Sequence, residues 1–253
     1  MSPAKKEVYI VSAKRTPLGS FQGSLSSVSA TQLGSIAIRA CLEDIGLSGN
    51  DVDEVIMGNV LQANVGQAPA RQASLGAGIT QSAPCTTVNK VCASGMKALM
   101  FGTQSIMLGD NDIIITGGME SMSNVPYYLS RVPEEECPIH LANTCSNTPY
   151  GGVNLVDGVV RDGLTDAYDQ MHMGLCTENL AQTFNITREE TDDFARQSYQ
   201  RAAKARDNGI HSKEIVPVVI PGRKGKPDVT ITDDEEIGKV NFDKIPYLNP
   251  MVQ

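Results

Sequence analysis

Thr86-Thr-Val-Asn-Lys-Val-Cys92-Ala-Ser-Gly-Met-Lys-Ala-Leu99 runs from a β-branched stretch, through a turn of small residues, into a helical pattern. Thr86 to Val91 reads as a strand and Ala93 to Leu108 as a helix closed by Gly109, so Cys92 falls at the join. A thiol there meets the unpaired N–H groups and partial positive charge of a helix N-terminus, which favour thiolate. The small neighbours Ala93, Ser94 and Gly95 leave room for a substrate carbonyl, and the Cys92 N–H is a candidate oxyanion donor. The arrangement is that of a nucleophile elbow built with sulfur. On local features alone the plainer reading leads, because a free cysteine is most often a small buried hydrophobe.

Outward from this stretch, short apolar runs alternate with helical patterns. Glu7 to Ser12, Glu54 to Val60 and Asp112 to Thr116 are further candidate strands, which predicts βαβ units and a mainly parallel sheet. Ser29-Ala-Thr-Gln32 has capping-box spacing, and Leu33, Ile36, Ala37, Ala40 and Cys41 recur on one helical face up to Gly46. From Met119 to about Gly163 the chain becomes rich in Ser, Asn, Pro, Gly and acids, as loops are. Helical order returns in Met173 to Phe184 and after a second capping box, Thr187-Arg-Glu-Glu190, with strand-like runs at Glu214 to Ile220 and Val229 to Thr232. The expected organisation is a first core part over residues 1–118, a loop-rich subdomain over 119–212 and a return to the core over 213–253.

The chain has 253 residues, 41% hydrophobic and 20% charged, enough to bury a core; without Trp that core relies on aliphatic side chains. A formal net charge of -8 argues against nucleic acid as a partner, and the basic group Arg223-Lys224-Gly225-Lys226 reads as a solvated loop. The six cysteines form no CxxC pair and no regular ladder, which suits a reducing compartment better than a disulfide framework. The N-terminus runs almost directly into a strand-like stretch, so the expectation is a cytoplasmic protein, or a mitochondrial one if a leader is missing. No apolar run approaches the roughly 20 residues that cross a bilayer.

Several segments, in order along the chain, resemble the thiolase family. They are Ile10-Val-Ser-Ala-Lys-Arg-Thr-Pro-Leu-Gly-Ser-Phe21, Gly58-Asn-Val-Leu-Gln62, Gly66-Gln-Ala-Pro-Ala-Arg-Gln72, Asn89-Lys-Val-Cys-Ala-Ser-Gly-Met-Lys-Ala98, Gly117-Gly-Met-Glu-Ser-Met-Ser123 and Gly163-Leu-Thr-Asp-Ala-Tyr168. Within that family the likeness is to the acetoacetyl-CoA group. It implies an α/β fold, a thiolase-type layered αβαβα core of which this chain is the N-terminal half, with a loop-rich insertion subdomain. It also implies an acyl-CoA acyltransferase in which Cys92 takes an acetyl group from acetyl-CoA and passes it to the enolate of a second, reversibly giving acetoacetyl-CoA and CoA. Such chemistry needs a thiolate, a base for the α-carbon and two oxyanion holes.

The same resemblance implies coenzyme A contacts at Tyr168, His172, Met173, Lys239, Val240, Asn241 and Lys244, with Lys239 and Asn241 departing from the Arg and Asp usual there. Taken singly, these side chains read as a solvated ring, a structural histidine and solvated charges. Tyr168 matches the position that touches potassium in potassium-responsive members. Homo-oligomers, dimers or tetramers, are implied, or association with full-length thiolase subunits. The family's second core domain, with its Asn, Gly-His-Pro and Cys-x-Gly motifs, is not among these 253 residues, so the expectation is an isolated chain of little turnover, or a catalytically inactive module that binds CoA or joins an oligomer. The segment Val132 to Asn147 looks inserted. Its Cys137, His140 and Cys145 are three soft side chains whose spacing fits no zinc signature, so an acidic surface loop is expected.

Overall fold

The computed structural model describes residues 6–129, 155–222 and 225–249. Helix α1 (Ala30–Ile45) starts with the expected capping box: Gln32 N donates to Ser29 Oγ, and the Gln32 side chain accepts in return from Ser29 N. It stops where Gly46 turns left-handed at φ +65°, a conformation glycine takes without a Cβ penalty. Strand β1 (Glu54–Gly58), helix α2 (Pro69–Gly76), strand β2 (Cys85–Val88), helix α3 (Ser94–Leu108) and strand β3 (Ile114–Gly118) follow. The three strands form a parallel sheet of order β2-β1-β3, with Val55 opposite Cys85 on one side and Ile115 on the other.

Since β2 and β3 flank β1 on opposite sides and parallel crossovers are right-handed, α2 and α3 fall on opposite faces. Val55 and Met57 point to the α1/α2 face, where they join Ile38, Leu42, Ala70, Ala73 and Ile79 in the main core. Ile56 and Gly58 point the other way, under α3, which approaches on small residues: a Cβ on Gly102 would come within 2.5 Å of Thr116 Cγ2. The outer side of α3 stays open, with Leu108 78% and Met96 69% exposed.

Beyond β3, strands β4 (Tyr127–Tyr128) and β5 (Val156–Asp157) pair antiparallel and lead into a π-helical turn at Val160–Leu164. Helix α4 (Met173–Phe184) is capped by His172, and α5 (Arg188–Asp207) starts with the Thr187/Glu190 capping box; neither helix buries a residue. A hairpin of β6 (Val218–Ile220) and β7 (Val229–Ile231) buries Val218 against Leu25 and Val28. Ion pairs from Arg15 and hydrogen bonds from Leu18, Ser20 and Ser24 to Asp234 and Glu235 tie residues 15–24 to this end of the chain. Arg15 binds Asp234 at 2.7 Å and Glu214 at 2.8 Å, holding both carboxylates below their ordinary range.

The expected strand from Glu7 to Ser12 does not form. The segment has no strand partner among the described residues until Arg15 bridges Ile215, and Tyr9, Ile10 and Val11 are exposed. Propensity extends a backbone, but a strand needs a neighbour to complete its hydrogen bonds. Strands β1, β2, β6 and β7 are shorter than the runs that predict them, and β3 keeps the expected length but lies two residues later, at Ile114–Gly118. Helix α2 carries its signal in Pro69 at the first turn. Cys137, His140, Cys145 and the 132–147 segment lie outside the described residues, as do Arg223 and Lys224; among the described residues no cluster of three or more metal-ligating side chains occurs. Among the described residues no helix is long and apolar enough to cross a membrane.

Candidate active site

The three parallel strands end on one edge of the sheet, and the chain leaves them at Gly58-Asn59, at the turn carrying Cys92 and at Gly118-Met119-Glu120. This is where open α/β sheets place their sites. A cavity of about 600 Å³ opens there, lined by Cys92, Leu61, Glu120, Phe21 and Arg15, and by Gly163 from the π-helical turn.

Cys92 is exposed and lies two residues before α3. The turn that carries it is strained: Val91 has φ +48°, a region that β-branched residues avoid. Ser94, buried at the first position of α3, accepts from Lys90 N at 2.8 Å and donates to Val91 O at 2.6 Å, while Val91 N donates to Asn89 Oδ1 at 3.0 Å. The helix begins this low over the sheet because no side chain intervenes. A Cβ on Gly58 would lie 2.6 Å from Gly95 N, and one on Gly118 would touch Gly95 Cα at 3.4 Å.

Glu120 closes the opposite wall. Its carboxylate accepts from Val60 N at 2.9 Å, from Leu61 N at 3.3 Å and from Asn59 Nδ2 at 2.8 Å. Burial pushes the carboxyl up, against the opposing pull of these donors. Asn59, fully buried, also donates to Met119 O at 3.1 Å, and its Oδ1 has no partner among the described residues. Neither Glu120 nor Asn59 stands out in the sequence as a site residue, although both belong to motifs that carry the family resemblance; charge and spacing alone do not signal a carboxylate folded onto its own sheet edge.

The residues expected to hold coenzyme A lie elsewhere, and none lines the Cys92 cavity. Tyr168 stands 93% exposed on the loop after the π-helical turn, which Thr165 and His172 close by pairing antiparallel. His172 Nδ1 accepts from Gly174 N at 3.0 Å, and Met173 begins α4. Lys239 donates to Glu235 at 2.7 Å and to Ser20 Oγ at 2.6 Å; the pair pushes the lysine up and Glu235 down. Asn241 accepts from Asp243 N to cap a 3₁₀ turn, Val240 is half-buried before it, and Lys244 is exposed. The loop from 165 to 172 nevertheless continues directly from the wall formed by Val159, Gly163 and Leu164, so this group and the cavity share one stretch of backbone.

Comparison with known proteins accounts for this layout. The family model described as thiolase, N-terminal domain, matches residues 8–253. The mitochondrial acetyl-CoA acetyltransferase A of Xenopus laevis is 54% identical over 247 residues, covering 98% of this chain and 55% of the relative. The mitochondrial acetyl-CoA acetyltransferase of Bos taurus is 54% identical over 251 residues, covering 99% of this chain and 56% of the relative. Among solved structures, the Acat5 thiolase of Ascaris suum in complex with coenzyme A matches with a TM-score of 0.84 and 40% identity, over 97% of this chain and 58% of that one. The chain thus spans just over half the length of these relatives, and its α/β core is of thiolase type. A cysteine on a strained strand-to-helix turn, the sheet that carries it and the matched sequence agree, and the chain belongs to the thiolase family.

Proposed function

We propose that this chain supplies the nucleophile of an acetyl-CoA C-acetyltransferase. The Cys92 thiolate attacks the thioester carbonyl of acetyl-CoA, the carbon–sulfur bond to coenzyme A breaks, and the CoA thiolate leaves and takes up a proton. The acetyl group then stands on Cys92, from which an acetyl-CoA enolate accepts it to give acetoacetyl-CoA. The observation that carries this reading is the exposed Cys92 at the mouth of a 600 Å³ cavity beside the N-terminus of α3. Support for the substrate comes from the relatives, named as acetyl-CoA acetyltransferases, and from the Ascaris suum thiolase bound to coenzyme A.

In this reading Tyr168, His172 and Met173 receive the pantetheine arm, and Lys239, Val240, Asn241 and Lys244 the nucleotide end. Their support is the motifs around them and the continuity of the 165–172 loop with the cavity wall. Tyr168, its ring 93% exposed, is also the candidate potassium contact, and the motif from Gly163 to Tyr168 is the support for it. The α-carbon base is not assigned to His172 or His211, since His172 caps α4 and His211 pairs with Glu214 at 2.8 Å.

Incubation of the folded chain with acetyl-CoA, followed by peptide mass spectrometry, tests the proposal. An acetyl thioester on Cys92, absent from Cys92→Ala, is expected; folded protein that never acquires it refutes the acyltransferase reading. A second reading, a thiolase-like chain that joins an oligomer without turning over, draws on the open side of α3, where Met96, Leu99, Met100 and Leu108 are exposed. It gains ground if Cys92 stays unmodified while the chain associates with itself or with a full-length thiolase.

A further inference from the structure

A left-handed backbone at a β-branched residue is unfavourable wherever it occurs, and it persists only where the surroundings hold it. Val91, at φ +48°, is such a residue, immediately before Cys92. Its peptide is held from both sides by side chains: Asn89 Oδ1 accepts from Val91 N at 3.0 Å, and Ser94 Oγ donates to Val91 O at 2.6 Å while accepting from Lys90 N at 2.8 Å. Ser94 N also donates to Val91 O, at 3.0 Å.

The use made of Ser94 is unusual. A serine at a helix start ordinarily turns its oxygen toward the free N–H groups of the first turn. Here the N-cap position is Ala93, with no side-chain cap, and the Ser94 hydroxyl faces backward to the two residues before the cysteine. Nor is Ser94 free to drift. It is 4% exposed, and its Cβ lies 2.8 Å from where a Cβ on Gly58 would stand, so it is wedged against the end of β1.

We infer that Ser94, assisted by Asn89, is a positioning residue that holds Val91 in its left-handed conformation and so sets Cys92 at the cavity beside the start of α3. The inference rests on the reading of Cys92 as the nucleophile. It separates two jobs within one tight turn: Val91 supplies the sharp reversal that lifts the sulfur out of the sheet, and Ser94 supplies the hold that Val91 needs.

The test is the rate at which Cys92 reacts with iodoacetamide in the folded chain, read peptide by peptide, with Cys176 on α4 as an exposed internal reference. Ser94→Ala is expected to slow Cys92 by about fivefold, as the released turn carries the sulfur away from the helix N-terminus, and to leave Cys176 unchanged. Ser94→Ala with Val91→Gly is expected to recover the rate to within about twofold of the parent, since glycine takes a positive φ without being held. Asn89→Ala, at an exposed position, is expected to slow Cys92 by about twofold through the weaker tie. If Ser94→Ala does not fold, Asn89→Ala with and without Val91→Gly makes the same comparison.

An unchanged Cys92 rate in Ser94→Ala overturns the inference. So does a slowing that Val91→Gly fails to reverse, or a parallel change at Cys92 and Cys176. Alkylation requires no acyl-CoA, so a chain that shows this pattern but never acquires an acetyl group refutes the acyltransferase proposal and leaves the positioning role intact.

Discussion

Residues 30–119 and residues 155–249 are held together by different forces. In the first, Ile38, Leu42, Val55, Met57, Ala70 and Ala73 close a continuous core beneath the sheet. In the second, α4 and α5 have no fully buried residue, and the order comes from the His172 cap, the Thr187/Glu190 capping box, the small Val218 cluster and ion pairs such as Arg15 with Asp234. The contrast bears on the proposed function. The proposed nucleophile, Cys92, stands on the packed part, where its turn is fixed to within contact distance, while the candidate coenzyme residues stand on the part with least burial, where a long, flexible substrate arm would demand less exact placement.

The comparison is broken most directly at Gly58. Gly58→Ala places a Cβ 2.6 Å from the backbone of Gly95, which forces α3 off the sheet. The expected cost is about 3 kcal/mol or more, with loss of Cys92 acetylation, measured by chemical denaturation and mass spectrometry. A functional Gly58→Ala chain would mean that the turn is not fixed by the packing described. Ile38→Ala, in the α1/α2 core, is expected to cost about 3 kcal/mol through its cavity while leaving the order of the cysteines' reactivities intact.

Arg15→Ala probes the polar ties, with an expected loss of about 1 kcal/mol at neutral pH after solvent screening. Asp234 and Glu214 have folded values depressed chiefly by Arg15, so their contribution is present above the unfolded carboxylate value of about 4 and is lost as pH falls through the lower folded values. The difference in thermal midpoint between parent and variant should therefore narrow below about pH 4. A difference that widens on acidification would contradict the assignment. The smallest effect is expected at Leu108→Ser on the open side of α3: stability within about 0.5 kcal/mol of the parent and less light scattering on heating. A large loss there would show that this face is covered in solution.

Much of the local structure is legible along the chain. Both capping boxes, the glycine stops at Gly46 and Gly109, and α4 over Met173–Phe184 are set by neighbours within a few residues. The strand at Glu7 to Ser12 misleads for the opposite reason: its apolar, β-branched residues favour extension, but a ladder needs a second strand, and none of the described residues supplies one there. Glu120 illustrates the same limit at the site. It reads as one more acid in a loop-like stretch, and only the folded chain brings its carboxylate onto three donors 59 to 61 residues earlier.

By itself, the sequence determined the family, the place of Cys92 at a strand-to-helix join and the ends of the capped helices, because motifs, caps and periodicity are written within one turn or one strand. The tertiary structure alone decided that Val91 is left-handed and held by Ser94, that Glu120 closes the cavity wall and that one side of α3 stays open. Those outcomes depend on how closely glycines let a helix approach a sheet and on which distant groups then come within hydrogen-bonding reach.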